Sequence, residues 1–451
     1  MISIAIPLIS SYDFVHDLPL AMKIMLKDFT AITLGVPPVQ EGVSIAVEDG
    51  IITQVIESTP EGRFDRVIVG HDQLITPGLI NAHTHLAMVL LRGYADDLPL
   101  ERWLKEEIWP LEAKLTSDDI YWGSLLGIAE MIRSGTTCFA DMYFRMESVA
   151  RAVEESGMRA LLAYGMIAPE PGERVERELK ITQDFIERFH GTAQGRIRAA
   201  ISPHAPYTCH PSLWERAVAL ASEYSLLIHT HLAETKDEVQ NAITHWQKTP
   251  VEYLQSLGVF EAPILAAHCV HVTDRDIQVL RDHDVRVVHN PTSNLKLASG
   301  FAPIERFLDE GMTVAIGTDG ASSNNNLDVL EEIRLAAFLQ KGILGEATAL
   351  PALEALRLAT QGGGCALAWE ELGTIDVGKR ADLVILDTDR PHWIPNYDPV
   401  SNLVYAAQAA DVKTVIIDGK IVMEDREIKT FDEEKAKAQV RRFQERHHRR
   451  R

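Results

Sequence analysis

Eight short aliphatic runs lie between residues 74 and 319, seven of them ending on a histidine or an aspartate, with helix-like stretches between most of them. The first is Leu74 to Ile80, leading into Asn81-Ala82-His83-Thr84-His85. The others are Thr136 to Ala140, Arg159 to Tyr164, Ile197 to Ser202, Leu226 to Thr230, Ile264 to Ala267, Val285 to Val288 and Thr313 to Ile316. Unbroken runs of this kind read as strands buried on both faces, the pattern of a parallel sheet covered by helices. One intervening helix is clear: Thr116 or Ser117 caps it, Tyr121, Leu125, Ile128 and Ile132 form its apolar face, and Gly135 ends it. Eight β/α units in about 260 residues predict a closed (β/α)8 barrel.

A barrel of this type builds its site at the carboxyl ends of its strands. Those ends carry His83 and His85, Asp141, His204, His231, His268, His289-Asn290 and Asp319. The two imidazoles of His83-Thr84-His85 point the same way only on a strand, where side chains alternate; a helix would set them about 200° apart. His83, His85, His231 and Asp319 form a three-imidazole, one-carboxylate set suited to one divalent ion such as Zn2+, with ferrous iron also compatible. No lysine ends a strand where it could become a carbamate bridging two ions, which favours a mononuclear centre. Glu234, three residues past His231, is placed to shuttle a proton without binding the ion. His268 is a candidate for a further ligand but reads better as a base orienting the metal-bound water, and His229 and His289 read as packing or supporting residues. His16, His71, His190, His245, His283, His392, His447 and His448 fall outside strand exits and read as surface residues.

Both chain ends carry further strand signals: Ala31 to Leu34, Val43 to Val47 and Ile51 to Ile56 in the first part, Ala381 to Leu386 and Val412 to Lys420 in the last. Neither cluster has enough strands to bury a core, so the two combine into one small β-sandwich lobe. The expected organisation is 1–73 as the first part of the lobe, 74–368 as the barrel, 369–430 as the rest of the lobe and 431–451 as a helical tail. Residues 1–24 stand apart as an extension with no basic leader, and Met22 or Met25 is an alternative start. Gly362-Gly363-Gly364 reads as a chain reversal.

A net charge of -21 argues against nucleic-acid or anionic-membrane partners, which need a positive surface. No apolar run reaches the length of about 18 residues that a membrane span needs. Cys138, Cys209, Cys269 and Cys365 are scattered, with no C-x-x-C pair, a usage that fits a reducing cytoplasm.

Asn81-Ala82-His83-Thr84-His85 with Leu90-Leu91-Arg92-Gly93 resembles the amidohydrolase superfamily. Ser202-Pro203-His204-Ala205-Pro206-Tyr207, His231-Leu232-Ala233-Glu234, Ala267-His268-Cys269-Val270-His271, His289 to Leu297 and Gly317 to Asn325 resemble its branch of 5-methylthioadenosine/S-adenosylhomocysteine deaminases. The resemblance implies hydrolytic deamination of adenine nucleosides, adenosine included, at one zinc held by His83, His85, His231 and Asp319. Glu234, His268 and Asp319 would be the catalytic groups. Glu112 would hold the ribose hydroxyls, Trp103 and His204 would line the nucleoside pocket, and Glu234 would also touch the base. Relatives that accept a charged tail can carry an arginine at the exit of the third strand, where Tyr164 aligns here. Arg174 is the evident substitute, and the departure favours 5-methylthioadenosine as substrate. A homo-oligomer is compatible with the sequence. Related branches act on triazines, guanine or pterins, and a barrel that had lost its ligands would serve only as an assembly protein.

Overall fold

The computed structural model describes residues 22–447. Most of the expected extension, His16, His448 and the three terminal arginines lie outside the described residues. The barrel strands are Leu79–Thr84, Thr136–Tyr143, Arg159–Met166, Ile197–Pro203, Ile228–Leu232, Ile264–His268, Arg286–His289 and Val314–Ile316, paired in chain order. Every ladder between them is parallel. Thr136–Tyr143 is buried at every position, as a strand between an outer helical layer and a filled interior must be. The helix Ser117–Arg133 starts as expected, with Thr116 and Asp119 exchanging side-chain and backbone hydrogen bonds.

The ring closes between its first and last strands at the ligand-bearing end. There the Asp319 N–H donates to the His83 carbonyl at 2.9 Å. The Asn81 amide donates to Thr318 Oγ1 at 2.8 Å and accepts the Thr318 N–H at 3.0 Å. Inward-facing Ile80, Ala82, Cys138, Ala140, Leu161 and Ala163 pack on Leu367 and Trp369, which plug the other end. Gly362-Gly363-Gly364 is not a chain reversal: it lies within the helix Gln361–Ala366 beneath this plug. A Cβ on Gly362 would sit 2.4 Å from the Val314 carbonyl oxygen, so the close approach of helix to strand requires glycine.

Both chain ends build one nine-stranded mixed sheet. Gln73–Pro77 lies between Ile24–Ile32 and Leu383–Asp387, with Leu383 opposite Pro77 and Asp387 opposite Gln73. This corrects the boundary expected at 73/74: Leu74 to Pro77 are lobe, and the chain passes into the barrel at Gly78. A Cβ there would meet Thr137 Oγ1 at 2.0 Å, so only glycine lets the two sheets approach. Val412 to Lys420 is likewise not one strand but a hairpin of Val412–Ile417 and Lys420–Glu424, turning at Asp418 and Gly419, both at positive φ. Arg66–Val69 adds a strand that the sequence pattern did not suggest. The tail helix Glu433–His447 packs on Ser117–Arg133, burying Ala436 and Phe443 and pairing Glu433 with Arg133 and Arg446 with Asp119.

One buried ionic cluster fastens lobe to barrel. Arg159, which begins the third barrel strand, donates to both oxygens of Asp382 at 3.0 and 3.1 Å and to Asp418 at 3.2 Å. Truncating a buried charge leaves its partners uncompensated, which costs about 3–5 kcal/mol. Arg159→Leu is therefore expected to lower unfolding free energy by about that amount in denaturant titration, and an unchanged midpoint would show that the cluster does not hold the two parts together.

Candidate metal centre and substrate pocket

With Ile80 and Ala82 facing the interior, strict alternation would turn His83 outward, but the register of the first strand shifts between Asn81 and Thr84, and His83 faces inward as well. His83 and His85, two apart, both reach the barrel mouth, where His231 meets them from the fifth strand and Asp319 from the loop after the eighth. His85 Nδ1 lies 2.6 Å from the Met142 carbonyl, and His231 Nδ1 lies 2.8 Å from the His204 carbonyl. A carbonyl can only accept, so both Nδ1 atoms carry the proton and both Nε2 atoms offer lone pairs. Those two Nε2 atoms face each other at 3.2 Å. Asp319 Oδ1 lies 3.3 Å from His85 Nε2 and 3.6 Å from His83 Nε2, and that last nitrogen, fully buried, has no hydrogen-bond partner. Burial pulls His83 down to about 4 and His231 well below the usual imidazole range, so both stay neutral at physiological pH. Converging lone pairs with no proton between them repel unless a cation sits among them. The residues present therefore fit a divalent ion.

His83, His231 and His268 form a second group of nitrogens within 4.8 Å of one another, a nearness compatible with His268 either as a further ligand or as a base beside the ion. Its Nδ1 lies 2.8 Å from Asn294 Oδ1, and its Nε2 lies 3.9 Å from Glu234 Oε2. Burial opposes charge on His268, but the carboxylates of Glu234 and Asp319 outweigh it and raise its pKa. Burial also raises Glu234, whose Oε1 accepts the Ser299 hydroxyl at 3.3 Å. Asp319 Oδ2 accepts the hydroxyls of Ser293 at 2.6 Å and Ser323 at 3.1 Å. Although buried, Asp319 is held well below the carboxylate range by His83 and His85. Asp141 faces another way: it accepts the Leu86 N–H at 2.7 Å and the Thr84 hydroxyl at 3.0 Å, fixing the turn after His85. His229 sits behind the cluster with Nε2 2.9 Å from His83 Nδ1, and His289 is buried with neither ring nitrogen bonded.

A pocket opens over the cluster, lined by Trp103, Glu112, Tyr143, His204, Glu234 and His268 among others. Glu112 accepts the Tyr143 hydroxyl at 2.6 Å. The His204 ring centroid lies 4.7 Å from that of His231. Arg174 is apart from this inner wall: it is exposed on an outer cleft that shares Leu100, Trp109, Ile167 and Tyr207 with the pocket. Gly165 on the third strand and Ile167 just past it face the pocket, while the Tyr164 hydroxyl turns away to Glu178. The Tyr164 side chain therefore does not line this pocket. Of the histidines read as surface residues, His71, His190 and His245 are exposed, whereas His283, His392 and His447 are half-buried.

The amidohydrolase family model matches residues 74–422. The chain belongs to the amidohydrolase family. Among curated relatives, the 5-methylthioadenosine/S-adenosylhomocysteine deaminase of Caldanaerobacter subterraneus subsp. tengcongensis is 49% identical over 420 residues, covering 93% of this chain and 97% of its own. The protein of that name from Syntrophomonas wolfei subsp. wolfei is 51% identical over 424 residues, covering 93% and 98%. Among solved structures, an adenosine deaminase from Xanthomonas campestris with bound zinc superposes with a TM-score of 0.88 at 36% identity, covering 94% of this chain and 98% of its own.

For this amidohydrolase, sequence reasoning missed Tyr143, Asn294 and Ser293. Ser293 and Asn294 lie in the stretch His289 to Leu297 that carries the resemblance, without a role given to either, and Tyr143 is flagged only by its place two residues past Asp141. The cluster's fit to a cation is testable without catalysis. A ligand that binds only the folded state at about a hundred times its Kd adds about 2.7 kcal/mol of stability. Zinc added to metal-depleted protein is expected to raise Tm accordingly, and His231→Ala to abolish the rise; a Tm indifferent to zinc would mean that the cluster holds no cation.

Proposed function

We propose that this amidohydrolase is a zinc-dependent deaminase of 5′-thioadenosine nucleosides, 5-methylthioadenosine and S-adenosylhomocysteine, with adenosine as a lesser substrate. The observation that carries the reading is one pocket lined by His85, His231, Asp319 and Glu234, with His83 buried against them, and by Glu112 on its wall. Relatives about half identical over nearly the whole chain carry that activity in their names, which supports it further. In this reading His83, His85, His231 and Asp319 hold the zinc ion, which when bound supplies Lewis acidity that lowers the pKa of water to about 7.

The chain's own groups do the proton work. Water adds across the C6–N1 bond of adenine, its oxygen to C6 and a proton to N1. Glu234, its pKa raised by burial, delivers that proton. Asp319 and His268 take up and return the remaining proton of the water. The C6–N bond then breaks, the amino group leaves with that proton as ammonia, and the hypoxanthine nucleoside remains. Trp103 and His204 flank the nucleoside, and Glu112, oriented by Tyr143, accepts the ribose hydroxyls. Arg174 on the outer cleft is left to meet a charged tail. The four cysteines are unpaired thiols, which supports a reducing compartment, and we place the enzyme in the cytoplasm. Among the described residues no helix is long and apolar enough to cross a membrane.

An ammonia-release screen over nucleosides tests the reading. It is expected to find 5-methylthioadenosine ahead of S-adenosylhomocysteine by roughly tenfold to a hundredfold in kcat/KM, the worth of one charge-assisted hydrogen bond from a firmly placed cation. No release from any adenine nucleoside by zinc-loaded protein would sink it. Glu234→Gln keeps the shape but not the proton, so kcat is expected to fall by about 10²–10⁴ with zinc retained; wild-type turnover would remove Glu234 from the chemistry.

Glu112→Ala addresses the sugar. Each lost hydrogen bond to a charged acceptor costs about 1.5–3 kcal/mol, so ribonucleosides are expected to lose more kcat/KM than their 2′-deoxy analogues. An equal loss for both would show that Glu112 does not touch the ribose.

A further inference from the structure

Four helices of the barrel begin with the same pattern, a threonine cap and an acidic residue three positions on: Thr116/Asp119, Thr235/Glu238, Thr249/Glu252 and Thr273/Asp276. In three of them the carboxylate turns back to the N–H of its own threonine, at 3.0, 3.1 and 2.8 Å, closing an ordinary capping box. Glu238 does not. Thr235 still caps its N–H at 3.1 Å, but the Glu238 carboxylate reaches past Thr235 to the N–H groups of Ala233 at 3.0 Å and Glu234 at 2.8 Å.

That diversion fixes the backbone from which the Glu234 side chain springs. Ala233 is in the left-handed region at φ 51°, which a residue with a Cβ disfavours, so something must hold it there. Its carbonyl accepts the N–H groups of Val270 and His271 at 3.0 and 2.9 Å from the exit of the sixth strand. Its N–H and the next are left to Glu238. Cap satisfaction alone would not place a second buried carboxylate beside Glu234: burial pushes Glu238 up to about 7, with the charge of Glu234 adding to the effect.

We propose that Glu238 is a positioning residue that acts through Glu234, its paired acceptance of the Ala233 and Glu234 N–H groups setting where the Glu234 carboxyl meets the substrate base. The inference rests on the proton-carrying role of Glu234. A carboxyl misplaced by about 1 Å can cost up to a hundredfold, so Glu238→Gln, which puts an amide N–H against one of the two backbone donors, is expected to lower kcat by about ten- to a hundredfold. KM and zinc content are expected to stay unchanged. Glu238→Asp, which keeps the charge but falls short of both donors, is expected to do the same and guards against a variant that fails to fold. The deciding measurement is the double-mutant cycle with Glu234→Gln: with the proton carrier gone, Glu238→Gln should change kcat by less than about twofold. Additive losses in the cycle, wild-type turnover in Glu238→Asp, or a loss carried by zinc content would overturn the inference. Wild-type turnover in Glu234→Gln alone would instead overturn the role on which it rests.

Discussion

Two backbone carbonyls decide what the barrel mouth can do. Because Met142 and His204 each present an oxygen to an imidazole Nδ1, His85 and His231 have one available tautomer, and their Nε2 lone pairs are forced to converge. The carbonyls belong to the second strand and to the residue just after the fourth, neither of which supplies those histidines, so the tautomers depend on strand order and register. A slip of one residue in either neighbour would turn a different group toward the ring and free the proton. The closing seam matters for the same reason: the Asp319 N–H to the His83 carbonyl and the Asn81 contacts to Thr318 hold the carboxylate in register with the first pair of imidazoles.

The lobe serves that register from the other end of the barrel. Gln73–Pro77 and Leu79–Thr84 are nearly one run of chain, so the strand that carries His83 is anchored in the lobe sheet a few residues before it enters the barrel. Arg159 ties the third strand to Asp382, whose carbonyl accepts the Gly78 N–H at 2.8 Å. Lobe, first strand and third strand are thus linked through one aspartate. In this reading a lobe with no catalytic residue still sets where the first ligands stand.

The barrel was legible in the sequence because strands buried on both faces must be apolar throughout, so their polar exits stand out: His83, His85, His231, His268 and Asp319 all reach the mouth from such exits. What was not legible depended on contacts distant in sequence. The break falls at Pro77-Gly78, a breaker pair that the aliphatic residues on either side masked, and what requires glycine there is Thr137, whose Oγ1 comes within 2.0 Å of where a Cβ would be. The turn at Asp418-Gly419 is an Asp-Gly pair, a hairpin signal, but the aliphatic residues before it masked it. The outward turn of Tyr164 toward Glu178 follows from strand alternation once Gly165 is known to face the pocket, and a sequence alignment alone does not fix that parity. Tyr143 is two residues past Asp141, and only the fold shows that its hydroxyl meets Glu112.

Strain and repulsion concentrate at the same strand exits. Ala233, His268 and Asp319 all lie in the left-handed region, at φ 51°, 76° and 62°, and such residues cost about 1–3 kcal/mol each. The converging Nε2 atoms and the buried carboxylate of Glu234 add to that cost. None of this helps the chain fold; it is sustained by the packed interior, the helical layer and the lobe cluster. The arrangement is consistent with a site whose groups are fixed before substrate arrives, since a side chain held by its backbone on both sides has little freedom left to lose. In this barrel the left-handed turn at Ala233 and the carboxylate that holds it are therefore parts of one device, and the geometry of Glu234 is their product.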